Sequence, residues 1–118
     1  MSRDEFQIIQ RYFALPDNDP DVLLGIGDDA AIVNASGPLA IATDTLVDGV
    51  HFPKRTAADA VGYRVLAVNL SDLAAMGATP IACTLSLAAP PELPLQLADG
   101  LVAGFVEAGI RWRCPLVG

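Results

Sequence analysis

The longest helical pattern in the chain covers residues 56–76, and it is apolar on almost every face. Such a helix is expected to be buried at the centre of a domain. Gly77 is a plausible stop, because glycine readily takes the backbone conformation that ends helices. In the second half of this segment, Asn69 and Asp72 are three residues apart and therefore share one helix face. This apolar segment with a local polar pair predicts a central helix that presents a site.

Unpaired aspartates are the second constraint on this chain. Each is flanked by small or aliphatic residues, with no lysine or arginine within four positions: Asp28, Asp29, Asp44 and Asp72. A buried carboxylate without a partner is costly, so it is usually paired, protonated or bound to a metal. Mg²⁺ prefers such oxygen ligands and often arrives with a nucleotide's phosphates. The pattern therefore predicts a metal-phosphate site.

Each of these segments also has a plainer interpretation. The Gly25–Asp29 segment either brings two carboxylates to one ion or forms an ordinary Gly/Asp turn. The Thr43–Thr45 segment either offers carboxylate and hydroxyl oxygens to a metal or simply ends a strand. Asn69 and Asp72 either face a ligand or are satisfied by loop backbone. The single histidine, His51, either lies near a ligand phosphate or in solvent.

Composition excludes several classes of function. The chain has 118 residues, a net charge of −7 and only seven basic residues, which form no stripe, so nucleic-acid binding is not expected. No apolar run approaches the roughly 20 residues of a membrane span, and the N-terminus lacks a signal-peptide core. We therefore expect a cytoplasmic protein. Cys83 and Cys114 lack metal-site spacing and are expected to be reduced core thiols.

The order of predicted elements indicates the fold class. The pattern predicts a helix at residues 4–14, strands at Ala30–Asn34, Leu39–Thr43 and Ile81–Leu87, a helix from Pro94 to about Ala108, and the start of a strand at Cys114–Val117. This order predicts an α+β fold with a mixed β-sheet and helices packed on one face. Because the chain stops directly after a predicted strand, we expect a fragment of a longer protein. The 53% hydrophobic content suggests further surface buried against a partner subunit or a second domain.

Taken in order, the segments resemble the thiamine-monophosphate kinases, a family in the superfamily of aminoimidazole ribonucleotide synthetase and selenophosphate synthetase. The resemblance runs through the whole chain, and its last segment is long and specific. The matching segments are Glu5-Phe6, Arg11–Phe13, Gly25–Ala30, Thr43–Thr45, Gly49–Phe52 and Ala67–Gly77.

The resemblance implies that residues 1–118 are an N-terminal ATP-binding domain of the α+β kind. Such domains bind nucleotide and metal, and they pair through their sheets into a homodimer. The Mg²⁺ ligands that it implies are Asp29, Thr43, Asp44 and Asp72. Two further residues, Asp28 and Asn69, would lie in the shell around these ligands, and His51 would contact the thiamine phosphate substrate.

The implied reaction converts ATP and thiamine monophosphate into ADP and thiamine diphosphate. The acceptor is a phosphate with a second pKa of about 6, so it is largely ionised at neutral pH and needs no general base. No side chain is therefore assigned a catalytic role, and Mg²⁺ would neutralise the repulsion between the two anions. Two alternatives stay open, a purine-biosynthesis cyclo-ligase of the same superfamily and a non-catalytic, dimerising, metal-binding fragment. In the family, the last strand is followed by a Gly-Asp-Thr segment, which this chain lacks.

Overall fold

The computed structural model of the protein describes residues 19–118, and two helices form most of its framework. In chain order, the elements are β1 (Val22–Leu24), β2 (Ile32–Val33), α1 (Ala58–Ala75) and α2 (Leu95–Arg111). Both helices match their predicted positions closely. The helix predicted at residues 4–14 lies outside the described residues.

The two helices touch backbone to backbone because small residues stand where they cross. A Cβ atom built on Gly62 would overlap a carbonyl oxygen of α2, and one built on Gly104 would overlap a carbonyl oxygen of α1. A Cβ atom on Gly100 would lie 3.0 Å from the Cβ atom of Ala58. Within each helix these small residues are four positions apart, so they line one face. Each helix therefore has one face of small residues, and these two faces pack against each other.

The hydrophobic core lies beside this crossing, towards the C-terminal end of α2. Its buried members are Leu66, Phe105, Ala108 and Cys114. Partly buried side chains from both helices and from the chain flanking α2 pack against them: Tyr63, Val65, Leu70, Cys83, Leu85 and Leu116. Burial of each large apolar side chain in such a cluster contributes about 1.5–3 kcal/mol.

The prediction of an all-round buried helix is wrong for α1 in the described chain. Its buried residues are Val61, Gly62 and Leu66, which belong to the half that meets α2. The other end of the helix is open, and Met76 is 77% exposed. The physical reason is that α2 and the segments that flank it pack against one side of α1 and leave its C-terminal end exposed.

Most of the β-structure in residues 19–118 is in two small pairs, and isolated bridges also join Ile26 to Asp28 and Asp48 to Phe52. In the first, β1 and β2 are antiparallel, with Val22 opposite Val33 and Leu24 opposite Ile32, so Leu23 forms a bulge. The strand predicted at Ala30–Asn34 is therefore present but shorter. The strand predicted at Leu39–Thr43 is not formed among the described residues, because a strand needs a hydrogen-bonded neighbour and this segment has none there.

The second pair is parallel and brings together the two segments that flank α2. Cys83 donates its N–H to the Pro115 carbonyl, Val117 donates to the Cys83 carbonyl, and Leu85 donates to the Gly118 carbonyl, each at 2.9 Å. Only Cys83 and Leu116 form a formal bridge, so the strands predicted at 81–87 and 114–117 are reduced to a short ladder. With α2 as the crossover, this gives a β-α-β unit and confirms the α+β class.

The two thiols lie together inside this ladder. Cys83 Sγ donates to the carbonyl oxygens of Cys114, at 3.7 Å, and Pro115, at 3.5 Å. Both cysteines are free. The hydrogen bond between the two thiols, together with burial, raises the pKa of Cys83, and the same hydrogen bond lowers the pKa of Cys114.

Both helices end with the same capping arrangement, in which the residue after the cap takes a left-handed conformation. After α1 this residue is Gly77 (φ 70°), and Ala78 donates its N–H to the Leu73 carbonyl at 2.9 Å. After α2 it is Arg113 (φ 51°), and Cys114 donates to the Gly109 carbonyl at 2.9 Å. The stop predicted at Gly77 is confirmed.

None of the helices in the described range has the length and apolarity needed to cross a bilayer.

The helix crossing yields a direct stability prediction for Gly104→Ala. Helix propensity alone would favour alanine by about 1 kcal/mol. We expect a net loss of at least about 2 kcal/mol in the free energy of unfolding, because the new methyl group meets backbone that cannot rotate away. Urea denaturation followed by circular dichroism measures the change.

The neighbouring residue Ala103 is exposed and provides the control. Ala103→Gly should cost only the propensity difference of about 1 kcal/mol. A Gly104→Ala variant as stable as the parent chain would show that the close backbone contact does not determine the helix packing.

Candidate functional site

His51 lies in a compact loop between β2 and α1. The Val47 carbonyl accepts hydrogen bonds from the N–H groups of Val50, at 3.0 Å, and His51, at 2.9 Å. Gly49 donates its N–H to the Phe52 carbonyl at 3.0 Å. The imidazole joins this network, because His51 Nδ1 accepts the Val47 N–H at 2.9 Å. The loop is therefore fixed partly by the histidine ring itself.

This hydrogen bond defines what the ring can do. A nitrogen that accepts a backbone N–H carries no proton, so the neutral ring has its proton on Nε2. His51 is exposed, so Nε2–H is available as a donor to a ligand. A donor held in one orientation suits an acceptor such as a phosphate oxygen.

The polar pair on α1 shows a second feature of interest. Asn69 Nδ2 donates to the Val65 carbonyl at 3.0 Å, whereas Asn69 Oδ1 is buried and has no hydrogen-bond partner among the described residues. Leaving a buried acceptor unsatisfied costs about 1–3 kcal/mol. Asp72 lies one turn further along and is exposed. This helix end therefore presents two oxygen groups without partners in the described chain.

The two adjacent aspartates in the turn after β1 have different surroundings. Asp28 Oδ1 accepts the N–H of Asp29 at 2.8 Å, and the preceding Gly27 has φ 124°. One carboxylate oxygen of Asp28 therefore stabilises the turn, as the plainer interpretation of this segment expects. The Asp29 carboxylate makes no such bond within residues 19–118.

The remaining metal candidates lie in the segment between β2 and the His51 loop. Thr43 and Asp44 are both exposed and belong to no helix or strand. Their side chains form no hydrogen bond or ion pair in the part of the chain that the structure describes. Carboxylate and hydroxyl oxygens are the donors that Mg²⁺ accepts, so the chemistry of this segment fits such an ion.

The expectation that the aspartates are buried is wrong for the described chain. All four are exposed: Asp28, Asp29, Asp44 and Asp72. The reason is that neither helix nor either strand pair covers them. Across residues 19–118, no three His, Cys, Asp or Glu side chains are grouped so that they could hold a metal ion. The convergence of Asp29, Thr43, Asp44 and Asp72 on Mg²⁺ stays a prediction.

Lys54 is a further residue of interest in the His51 loop, and it belongs to none of the predicted site segments. Its side chain runs across Gly49, inside the loop that carries His51. The sequence does contain a signal, since Lys54 is the only lysine of a chain with net charge −7 and stands three residues after the only histidine.

Comparison with known proteins defines the family. Residues 27–118 match the sequence model of the family described as AIR synthase related protein, N-terminal domain. The chain therefore belongs to the AIR synthase related family.

Within that family, the chain is similar to proteins named thiamine-monophosphate kinase. It is 48% identical over 121 aligned positions to the one from Buchnera aphidicola subsp. Acyrthosiphon pisum, covering 100% of this chain and 37% of that protein. It is 53% identical over 94 positions to the one from Escherichia coli K12, covering 76% of this chain and 29% of that protein. The resemblance found in the motifs is confirmed.

A solved structure supports the same grouping. The crystal structure of thiamine-monophosphate kinase from Stenotrophomonas maltophilia K279a superposes with a TM-score of 0.77 at 44% identity, covering 99% of this chain and 37% of that one. This agreement confirms the α+β fold. The chain thus spans about a third of the length of the relatives that it matches.

Asn69 gives a testable consequence of its unsatisfied oxygen. We expect Asn69→Leu to raise the free energy of unfolding by about 1 kcal/mol without ligand, because an apolar side chain of similar size needs no partner there. Asn69→Asp should lower stability, because it places a charge in the same buried position. Thermal unfolding of both variants measures these changes in stability. A loss of stability in Asn69→Leu would mean that Oδ1 has a partner in the folded chain.

Proposed function

We propose that residues 1–118 form the N-terminal ATP- and metal-binding domain of a thiamine-monophosphate kinase. The whole protein would convert ATP and thiamine monophosphate into ADP and thiamine diphosphate, in the cytoplasm. The observation that carries this proposal is the 48% identity to a protein of that name along the full length of the chain. The segments Gly25–Ala30, Thr43–Thr45 and Ala67–Gly77, which supply the candidate oxygen ligands, support it.

The proposed metal site uses Asp29, Thr43, Asp44 and Asp72. Bound Mg²⁺ would neutralise the repulsion between the two phosphate anions and stabilise charge in the transition state. Asp29 is suited to this role because its neighbour Asp28 holds the turn through its own carboxylate. Asn69 would supply its buried, unpartnered Oδ1 to a ligand or to a water molecule beside the site.

The proposed acceptor site uses His51. Its Nδ1 is engaged by the Val47 N–H, so Nε2–H would donate to an oxygen of the thiamine monophosphate phosphate. This phosphate is the nucleophile, and its second pKa of about 6 makes it largely ionised at neutral pH. No residue of the chain therefore has to remove a proton during the transfer. His51 orients the acceptor, and the metal site orients the donor.

Two other functions remain as alternatives. A purine-biosynthesis cyclo-ligase of the same superfamily would share the fold and the use of ATP, but the relatives named above are kinases. The second alternative is a dimerising, metal-binding domain without activity of its own. Assaying the 118-residue chain beside a full-length protein separates this last alternative from the proposal.

Asp72→Asn in a full-length protein tests the metal site. The change keeps the size of the side chain but removes a hard anionic oxygen, so Mg²⁺-dependent turnover should fall at least about 100-fold. Because Asp72 is exposed, the free energy of unfolding measured in EDTA should stay within about 0.5 kcal/mol of the parent value.

A matched control is Glu107→Gln, which removes one exposed carboxylate from α2. It should leave both turnover and stability unchanged. An Asp72→Asn variant that is destabilised but active would remove Asp72 from the metal site and weaken the kinase assignment.

We also propose that the domain forms a homodimer through its strand segments. Several large apolar side chains there are exposed within the described range, including Leu39 (54%), Ile41 (88%) and Leu87 (47%). The backbone of the Leu39–Thr43 segment has no strand partner among the described residues, so a second copy could supply one.

Sedimentation equilibrium at micromolar concentration should therefore show a dimer, and Ile41→Asp should shift it to monomer, because it places a charge in the proposed interface. Ile110 is similarly exposed but lies on α2, so Ile110→Asp is the control and should stay dimeric. A parent chain that sediments as a monomer contradicts the proposal.

A further inference from the structure

Lys54 lies folded back over the loop that carries His51, rather than extended into solvent. A Cβ atom built on Gly49 would lie 3.1 Å from Lys54 Cε, 3.4 Å from Cγ and 3.8 Å from Cδ. The aliphatic stem thus covers the position where any other residue would place its side chain. Gly49 also has φ 76°, a conformation that favours glycine. The backbone at this point therefore allows the lysine stem to lie across the loop.

The position of the stem also brings the charged end of Lys54 close to this loop. The carbon next to the ammonium group, Cε, is the atom nearest to the Gly49 position. The ammonium group is bonded to Cε, so it too lies near Gly49, in the same hydrogen-bonded loop in which the His51 ring accepts the Val47 N–H. A neutral N–H donor and a cation are in this way presented by one short, hydrogen-bonded segment.

The charge of Lys54 is available to a ligand. It forms no hydrogen bond or ion pair within residues 19–118. The chain carries a net charge of −7, and the candidate metal ligand Asp44, which is near in sequence, is a carboxylate. An anionic acceptor would be repelled by these groups unless a cation meets it, and Lys54 is the only lysine.

We propose that Lys54 is a substrate-positioning residue that binds the phosphate of the acceptor together with His51. This inference rests on the proposed function and adds a specificity element to it. A neutral imidazole N–H can donate equally to a phosphate or to an alcohol, so it discriminates weakly between them. The Lys54 ammonium interacts more strongly with a dianionic phosphate than with a neutral hydroxyl group. Lys54 therefore selects the phosphorylated acceptor over the free alcohol.

The decisive variant is Lys54→Met in a full-length protein. Methionine keeps an unbranched apolar stem over Gly49 and removes only the charge. We expect the KM for thiamine monophosphate to rise about tenfold while kcat changes less than about twofold and the KM for ATP stays the same. Lys54→Arg keeps the charge and should restore the KM to within about threefold of the parent value.

Arg55→Met is the matched control, because Arg55 is the adjacent exposed cation of the same loop. It should change none of these constants. A second readout is binding measured by calorimetry without ATP, for thiamine monophosphate and for thiamine. Lys54→Met should lower the preference for the phosphorylated ligand about tenfold, whereas a purely structural role of Lys54 would weaken both ligands equally.

The two readouts separate this inference from the proposed function. If the parent protein turns over and Lys54→Met keeps its KM and its ligand preference, the inference is overturned and the kinase assignment stands. If the parent protein binds thiamine monophosphate without turning it over, the kinase assignment fails, and a weaker preference in Lys54→Met still supports the role of Lys54. A parent protein that neither binds nor turns over this ligand overturns both.

Discussion

The backbone contact between α1 and α2 is the constraint on which the rest of the described structure depends. Gly62 and Gly104 let each helix approach a carbonyl oxygen of the other, which no larger residue permits. This contact sets the direction in which α1 carries Asn69 and Asp72. Because α2 also joins the two parallel segments around Cys83 and Leu116, the same contact relates the candidate site to the core.

The helices could be predicted from the sequence because their signals are local. The pattern predicts a helix at residues 56–76, and the structure has Ala58–Ala75; Gly77 ends it in both. The burial of this helix was not predictable in the same way. An apolar surface shows that a helix is suited to being covered, whereas the exposure of Met76 depends on which other parts of the molecule lie beside it.

The pairing of the strands and the geometry of the site could not be predicted from local sequence signals. The Leu39–Thr43 segment has the composition of a strand, but pairing requires a neighbour, and none of the described residues supplies one. The chemistry of the acidic groups could be predicted from their residue types. The division of roles between Asp28 and Asp29 was not, because it depends on the φ of Gly27 and on one hydrogen bond. Lys54 was missed for a similar reason, since only the course of its side chain over Gly49 connects it with His51.

The parallel pairing across α2 also has a consequence for the order in which the molecule can assemble. Leu66 and Phe105 are packed together with Cys114 and Leu116, and the ladder uses carbonyl groups as late as Gly118. On a ribosome, where the chain grows from its N-terminus, α1 can form early, but the cluster cannot close until residues 114–118 have emerged. Contacts between positions 83 and 116 are distant in sequence and therefore slow to form. The nascent chain would expose its apolar cluster throughout this interval, when binding by a chaperone or premature association with another copy competes with folding.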